Sequence, residues 1–337
     1  MAQPVPAVLS ALDPSTYVPH ALHDLARPWP ETNCYVDVWI EILAAMGLEP
    51  AAAAGFTVAQ DYEGDQFTFF KFPPEDLELL FGLTVQELAI YTAVDAHAAE
   101  QIARGRLPLI EVDSYFLPDT AGLSYRLAHT KTTIGLNRID VAGRRAEYFH
   151  NRSYFVLEGD DFDGVFRRGA HAASADALFP YVEFIKRARV PVAGDLVRRA
   201  RRRLAYHLSR RPAANPFNAF RHDLAAHIER LRGGAHFHDF AFNTVRQFGA
   251  NYGLLSAHLD WLSLAGVSDM VEASAAARRI AEGAKVLQFQ LARAAAGREP
   301  KGVSEGLDRI VDDYDRLMDL LERAVSARRF EAARGDA

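Results

Sequence analysis

The sequence predicts an α+β fold, in which a domain of helices and antiparallel strands at residues 15–165 precedes a helical domain at residues 166–330. In the first half, short runs with β-type alternation interrupt stretches of helical spacing. From about residue 162 onward, apolar residues recur every three or four positions, as on one face of a helix. A chain of 337 residues is long enough for two such domains.

Composition excludes several classes of protein. The chain is 49% hydrophobic and 24% charged, which is typical of a soluble globular protein. Its net charge of −6 makes nucleic acid an unexpected partner of the whole molecule. A single cysteine excludes an internal disulfide framework and fits a reducing compartment. We find no signal-peptide pattern and no apolar run of membrane-spanning length, so we expect a cytoplasmic protein.

The one cysteine, Cys34, lies where the first long helix should begin. Thr32 and Asn33 are residues that commonly cap a helix start, and Gly47 is a stop signal. A thiol in the first turn faces unpaired backbone N–H groups and the positive end of the helix dipole, which favour the thiolate and can hold an oxyanion. The position therefore predicts a cysteine nucleophile. The alternative is a small packing residue, which is the commoner role of a lone cysteine.

The other elements of the first half follow from short patterns. Apolar and β-branched runs predict strands, Gly105 and Gly143 mark turns beside them, and Pro73 ends one run. The predicted strands are 56–60, 66–72, 107–113, 132–139 and 145–150, and the predicted helices are 75–80 and 84–104. A cysteine-bearing helix followed by antiparallel strands is the order of elements in papain-like folds.

In the second half, four long amphipathic patterns predict a helical bundle. These helices are expected at 219–231, 237–264, 269–296 and 304–329. Gly233, Gly234 and the segment 298–302 separate them, since glycine and proline interrupt helices.

A cysteine nucleophile needs a base, and the base needs a residue that orients it. In a papain-like order the base is a histidine before a strand, so His129, ahead of the strand 132–139, is the best candidate. The orienting residue belongs at the next strand, where Asn151 follows His150 and can accept a hydrogen bond from imidazole. Asp113, at the C-terminal end of an apolar strand, is a second candidate for polarising the site. In the simpler interpretation these are loop, turn and capping residues.

Metal and nucleotide sites have little support in the sequence. His222 and His227 are five residues apart, whereas a metal site on one helix face needs a spacing of three or four. His236 and His238 flank Phe237 in what reads as a loop before a helix. No glycine-rich nucleotide loop and no GxSxG motif occurs. We therefore expect no bound metal or cofactor.

A basic stretch interrupts this acidic sequence. It comprises Arg198, Arg199, Arg201, Arg202 and Arg203, followed by Arg210 and Arg211. One interpretation is a solvated helix face that pairs with acidic residues of the same chain. The other is a docking patch for an acidic partner, in which charge speeds and orients the encounter. An acyl carrier protein, an acidic helical bundle with a phosphopantetheine arm, would suit such a patch.

Three segments together resemble a known family: Asn33-Cys34 opening a helix, the stretch 105–118 (GRLPLIEVDSYFLP), and Tyr125 with His129 before a strand. The chain is similar to relatives of the butirosin-pathway N-acyltransferase. It resembles more closely an uncharacterised bacterial family associated with carrier-protein-dependent amino-acid metabolism. The resemblance covers roughly residues 20–330 and implies a papain-like domain followed by a helical domain.

The resemblance also implies a catalytic set. Cys34 matches the nucleophile of the family, Asp113 the aspartate of its VDxYxLP stretch, and His129 the first histidine of an HxxH pattern. Thr132 stands where the second histidine is expected, and Asn151 lies where an aspartate usually follows the next strand. If the second histidine is the base, either His129 has taken its role or the site is inactive.

The implied function is acyl transfer from a carrier-protein thioester, on a phosphopantetheine arm, to a small-molecule amine. Cys34 would form the acyl-enzyme, His129 would act as base, and Asn33 or Tyr35 would lie beside the oxyanion. One alternative is a non-catalytic carrier-protein or partner-binding protein with a degenerate papain-like fold, in which Cys34 is only packed. A cysteine amidase or peptidase is a third interpretation.

Overall fold

A computed structural model describes residues 5–172, 178–188, 192–234, 236–298 and 301–335. The chain forms two compact units, each assembled from separate segments. The first, the sheet unit, comprises Met1–Ala21, Asn33–Pro50 and Leu77–Val192. The second, the helical unit, comprises Leu22–Thr32, Ala51–Asp76 and Ala193–Ala337. Two segments from the first quarter of the sequence therefore belong to the helical unit.

The described residues contain ten α-helices and six strands. The helices are α1 (Cys34–Ala45), α2 (Pro74–Phe81), α3 (Val94–Ala103), α4 (Gly159–Val165), α5 (Leu196–Leu208), α6 (Pro216–Leu231), α7 (Phe237–Phe240), α8 (Arg246–Leu264), α9 (Val271–Ala295) and α10 (Val303–Gly335). The strands are β1 (Leu83–Glu87), β2 (Leu107–Asp113), β3 (Lys131–Asp140), β4 (Arg145–His150), β5 (Ser153–Glu158) and β6 (Val182–Arg187). A π-helical turn, Ala241–Val245, connects α7 to α8.

The sheet unit is built on one antiparallel sheet with the strand order β1-β6-β2-β3-β4-β5. Short turns connect β3 to β4 and β4 to β5. The last strand in sequence, β6, is inserted between β1 and β2 and pairs with both. The central strands β2 and β3 are consequently paired along both edges.

Helix α1 covers one face of this sheet. Gly135 in β3 lies under the helix, since a side chain at this position would come within 2.8 Å of Ile42. Leu109 in β2 pairs with Gly135, and side chains alternate between the two faces of a strand. The odd-numbered residues of β2, and those of β3 up to Gly135, therefore lie on the same face as α1. We call this the α1 face.

The opposite face carries the hydrophobic core of the sheet unit. Even-numbered residues such as Ile110, Ile134 and Tyr148 are almost fully buried there. Ile102 of α3 and Phe162 of α4 belong to the same cluster. Burial of this apolar surface is the main source of stability for the unit.

An aromatic cluster forms part of the core of the helical unit. Phe67, Phe217, Phe220 and Phe248 are fully buried, and their paired ring centroids lie 4.8 to 6.2 Å apart. Such edge and tilted contacts between rings add to the stabilisation from burial. Phe67 comes from the segment 51–76, so this cluster explains why that segment belongs with the C-terminal helices.

Many of the predicted elements are confirmed. The strands predicted at 107–113, 132–139 and 145–150 correspond to β2, β3 and β4, and the helix at 75–80 corresponds to α2. The four long helices correspond to α6, to α7 with α8, to α9 and to α10. The molecule is thus an α+β protein with a helical C-terminal region.

Three predictions for the first half are wrong. The segment 84–104 is not one helix, because Thr84 and Val85 pair with β6 and α3 begins only at Val94. Residues 56–59 of the predicted strand 56–60 lie in the 3-10 helix Pro50–Ala59. The predicted strand 66–72 is reduced to an isolated bridge between Tyr62 and Phe67.

The sheet unit ends later in the sequence than the pattern predicts. The predicted domain boundary at residue 165 coincides with the end of α4, whereas the sheet unit continues to Val192. The pattern also predicts helices from about residue 162 onward, yet β6 completes the sheet. Among the described residues, none of the helices combines the length and the apolar character needed to cross a bilayer.

Candidate functional site

Cys34 is the first residue of α1 and is half-buried, which confirms the predicted helix start. Asn33 caps the helix in an extended conformation, and its side-chain oxygen accepts a hydrogen bond from the N–H of Val36 over 3.0 Å. Cys34 shares one side of α1 with Val38, four residues further on. Val38 packs over Gly135, so this side of α1 faces the sheet.

The candidate base His129 and the candidate orienting residue Asp113 lie side by side. Nδ1 of His129 is 2.6 Å from Oδ2 of Asp113. A carboxylate only accepts hydrogen bonds, so Nδ1 carries the proton and Nε2 of the neutral ring keeps its lone pair. Oδ1 of Asp113 accepts from the N–H groups of Tyr115 and Thr130, over 3.0 and 3.3 Å. The ring of Tyr115 stacks on the imidazole at 4.4 Å, which fixes the ring plane.

This pair lines a cavity of about 640 Å³ in the sheet unit, within the range of roughly 300–1,000 Å³ common for small-molecule sites. Carboxylates, cations and aromatic rings share its wall. They include Glu111, Asp113, His129, Lys131, Phe179 and Tyr181. The His129 side chain is 72% exposed, so Nε2 is accessible to a molecule bound here.

Tyr35, one of the two predicted oxyanion donors, is engaged by a carboxylate of β6. Its hydroxyl donates to Oε2 of Glu183 over 2.9 Å, and the hydroxyl of Tyr181 donates to Oε1 over 2.8 Å. Burial, and after it the interaction with Glu183, raises the pKa of both tyrosines above the usual range, so both remain donors. Glu183 thus connects the neighbour of Cys34 to a wall of the cavity.

A second Asp–His pair is buried on the face opposite to α1. Nδ1 of His150 is 2.5 Å from Oδ2 of Asp119, and Nε2 is 2.8 Å from the hydroxyl of Thr132. Tyr148 donates its hydroxyl to the other oxygen of Asp119. Burial, and after it Asp119, raises the pKa of Tyr148 above its usual value. Both nitrogens of His150 therefore have hydrogen-bond partners within the protein. We assign this buried pair a role in stabilising the fold.

The structure brings together only part of the predicted set. Asn151 lies in the turn between β4 and β5 with a φ of +45°, a left-handed conformation that asparagine tolerates. It is Asp113, and not Asn151, that binds His129. Within the described residues, the Cys34 thiol makes no hydrogen bond to His129. Thr132, where the resemblance led us to expect a second histidine, faces away from α1.

Sequence reasoning missed Asp119 and Glu183. Asp119 lies in a turn 31 residues before His150, and no local pattern joins the two. Glu183 carries a weak signal, because it is a carboxylate inside the otherwise apolar run Val182–Ile185. Across the described residues, no group of three His, Cys, Asp or Glu side chains is arranged to hold a metal ion.

The basic stretch lies on α5 in the helical unit. Nε of Arg203 donates to one oxygen of Asp76 over 2.6 Å, and Nε2 of His207 is 2.8 Å from the other. Arg199 donates to backbone carbonyl oxygens just before the helix. Arg198, Arg201 and Arg202 line a second cavity. The stretch therefore combines pairing within the chain with a group of three cations beside a cavity.

Two family models match most of the chain. One, described as the DUF1839 N-terminal domain, matches residues 18–187, and the other, described as the DUF1839 C-terminal domain, matches residues 193–323. The gap between them lies at the end of the sheet unit, Val192. No curated protein matches the chain.

Proposed function

This chain belongs to the DUF1839 family, and we propose that its sheet unit is a cysteine-dependent acyltransferase. It would move an acyl or aminoacyl group from a carrier-protein thioester to a small-molecule amine. Two features support the proposal: a helix that begins with Cys34 packs on an antiparallel sheet, and His129 precedes a central strand. A papain-like fold for this unit is part of the proposal. A relation to the butirosin-pathway N-acyltransferase is part of the same proposal.

The observation that carries the proposal is that Cys34 and Asp113 belong to the same face of the sheet. Asp113 pairs with Lys131 in register with the odd-numbered residues under α1, and Cys34 lies one turn before Val38, which packs over Gly135. His150 follows Phe149, the partner of Gly135, and therefore lies on the other face. Of the two Asp–His pairs, we therefore assign the one with His129 to Cys34 in this proposal.

The proposed chemistry consists of two displacements at the acyl carbon. Nε2 of His129 takes the proton of Cys34, and the thiolate attacks the thioester carbonyl. The bond from the acyl carbon to the pantetheine sulfur breaks, and His129 returns the proton to that sulfur. The amine then attacks the Cys34 thioester, His129 takes the amine proton, and the Cys34 thiolate leaves. The helix dipole and the N–H of Cys34 would stabilise the oxyanion of each step.

The donor in this proposal is an acidic carrier protein, whose phosphopantetheine arm is part of the substrate rather than a bound cofactor. Arg198 to Arg203 provide a basic surface on α5 in a chain of net charge −6, and such a surface accelerates encounter with an acidic partner. Arg203 is engaged by Asp76, so Arg198 and Arg202 are expected to contribute most. Replacing these two with glutamate should raise the KM for the carrier and leave kcat unchanged. An unchanged KM would contradict docking at this surface.

The acyl-enzyme is tested by intact-protein mass spectrometry after mixing the protein with an aminoacylated carrier. We expect a mass increase equal to the acyl group on the wild type and none on Cys34→Ala. The control is circular dichroism, which must show that the variant is folded. A wild type that gains no mass would contradict covalent transfer.

One observation favours a second candidate, a carrier-binding or partner-binding protein without catalysis. Within the described residues, the Cys34 thiol has no hydrogen bond to His129 or His150. This is the arrangement expected of a thiol that only fills space in the packing. Alkylation by iodoacetamide distinguishes the two, because an activated thiolate reacts rapidly at about pH 6 to 7 and a packed thiol does not. Rapid alkylation supports the acyltransferase. Slow alkylation with tight carrier binding supports the second candidate.

A further inference from the structure

A second cavity lies in the helical unit, between α5, the end of α8 and α10. Its volume is about 490 Å³, which also falls in the range of roughly 300–1,000 Å³ common for small-molecule sites. Apolar side chains form most of its wall. They include Leu204, Leu262, Val267, Met270 and Ala324. An apolar chain of small cross-section would exclude water from these side chains and be stabilised by their burial.

Three arginines border the same cavity. Arg198, Arg201 and Arg202 are spaced three and four residues apart on α5, so they lie on one side of the helix. Leu204 and Ala205 continue that side into the apolar part of the wall. The cavity wall is therefore amphipathic, because it combines three guanidinium groups with a larger number of aliphatic side chains.

The arginines on and just after this helix differ in whether they form ion pairs with carboxylates of the chain. Arg203 is paired with Asp76, and Arg211, just after the helix, with Glu322. Arg198 and Arg202 are exposed, and neither forms an ion pair with a carboxylate of the described residues. Two cations without an internal counter-charge, next to apolar surface, are suited to a ligand that supplies the anion.

We propose that this cavity binds an anionic amphiphile, with an unbranched alkyl chain against the apolar wall and a carboxylate or phosphate head at Arg198, Arg201 and Arg202. Guanidinium groups bind both kinds of head group through paired hydrogen bonds. The proposal concerns residues of the helical unit alone and does not depend on acyl transfer.

Binding is measured by calorimetry with three probes of equal chain length: decanoate, decyl phosphate and decanol. We expect at least one anion to bind and decanol to bind about tenfold or more weakly, because it lacks the charge-assisted hydrogen bonds. The tighter of the two anions identifies the head group, carboxylate or phosphate. Absence of binding by both anions, or equal affinity for decanol, would overturn the proposal. Carrier protein is absent, so the result is independent of the acyltransferase.

Two variants locate the site. The double variant Arg198→Gln with Arg202→Gln should weaken anion binding about tenfold or more and leave decanol binding unchanged. Ala205→Phe should abolish binding of all three probes by filling the cavity. The matched control is Arg309→Gln, which removes an exposed arginine of α10 outside the cavity wall and should change nothing. Wild-type affinity in the double variant overturns the proposal, and this variant decides the question if Ala205→Phe does not fold.

Discussion

The two Asp–His pairs of the sheet unit share one geometry and occupy opposite surroundings. Asp113 binds Nδ1 of His129, whose side chain is 72% exposed beside a cavity. Asp119 binds Nδ1 of His150, whose side chain is 1% exposed and whose other nitrogen is bonded to Thr132. Only the first pair leaves Nε2 available for proton transfer with a bound molecule.

The difference shows that an aspartate partner alone does not leave a histidine available for proton transfer. A buried pair must recover a large desolvation cost, so its remaining polar atoms need partners, which Thr132 and Tyr148 provide. An exposed pair contributes little to stability, because water screens it. We therefore expect changes at the exposed pair to alter chemistry and changes at the buried pair to alter stability.

The largest effect is expected at the exposed pair. His129→Gln should lower the rate of acyl transfer by about 10²- to 10⁴-fold, the usual contribution of a general base, and leave the urea midpoint unchanged. The matched control is His171→Gln, because His171 lines the same cavity but binds Asp160 through Nε2. Steady-state transfer rates of the three proteins provide the comparison. Equal losses in both variants would contradict a specific role for His129.

A smaller effect, on stability, is expected at the buried pair. Asp119→Ala leaves the imidazole of His150 and the hydroxyl of Tyr148 without their acceptor, which should lower the free energy of unfolding by about 4 kcal/mol. Asp113→Ala is the control at the exposed pair and should cost about 1 kcal/mol. Urea unfolding at pH 7 measures both. Similar losses in the two variants would remove the distinction between the pairs.

The fold could be predicted from the sequence where its cause is local. Long amphipathic patterns correctly predicted α6, α8, α9 and α10. Apolar and β-branched runs beside glycine turns correctly predicted β2, β3 and β4. The strand β1 was missed, because Thr84 to Glu87 become a strand only by pairing with β6, about a hundred residues later. β6 itself mixes charged and apolar residues, so its pattern does not separate it from the helices that follow.

The candidate site shows the same limit. Cys34 at a helix start, and His129 and Asp113 as candidates, followed from residue types next to predicted elements. That Asp113 and His129 meet could not be predicted, because it depends on the register between β2 and β3. The structure shows that the imidazole is hydrogen-bonded to Asp113 rather than to Asn151. Asp119 could not be found from sequence, since its partner His150 is brought to it by the sheet.

His258, in the helical unit, is a third histidine to compare with these two pairs. It is buried and hydrogen-bonded to a backbone carbonyl instead of a carboxylate. His258 is buried, its Nδ1 lies 2.8 Å from the carbonyl oxygen of Ala51, and burial lowers its pKa from 6.5 to about 4. The unfolded chain therefore binds the proton at a higher pH than the folded one. Stability should fall as pH decreases from 6.5 to 4, by about 3 kcal/mol from this residue.

Urea unfolding between pH 7 and pH 4 tests this difference. His258→Asn retains a donor for the Ala51 carbonyl and does not titrate, so its stability should depend less steeply on pH than that of the wild type. His222→Asn, at an exposed position on α6, is the control and should retain the wild-type slope. A wild-type slope in His258→Asn would contradict the assignment.

The smallest expected effect is a difference in stability between substitutions on the two faces of β3. Thr132 and Thr133 are adjacent in β3 and each is 7% exposed, but only Thr132 bonds His150. Thr132→Val should lower the free energy of unfolding by about 1 to 2 kcal/mol, because Nε2 of His150 is left buried without its partner. Thr133→Val, on the α1 face, makes the same change of shape and should be nearly neutral. Urea midpoints that shift equally in the two variants would show that the loss comes from the substitution itself, and a larger shift for Thr132→Val assigns it to the buried pair.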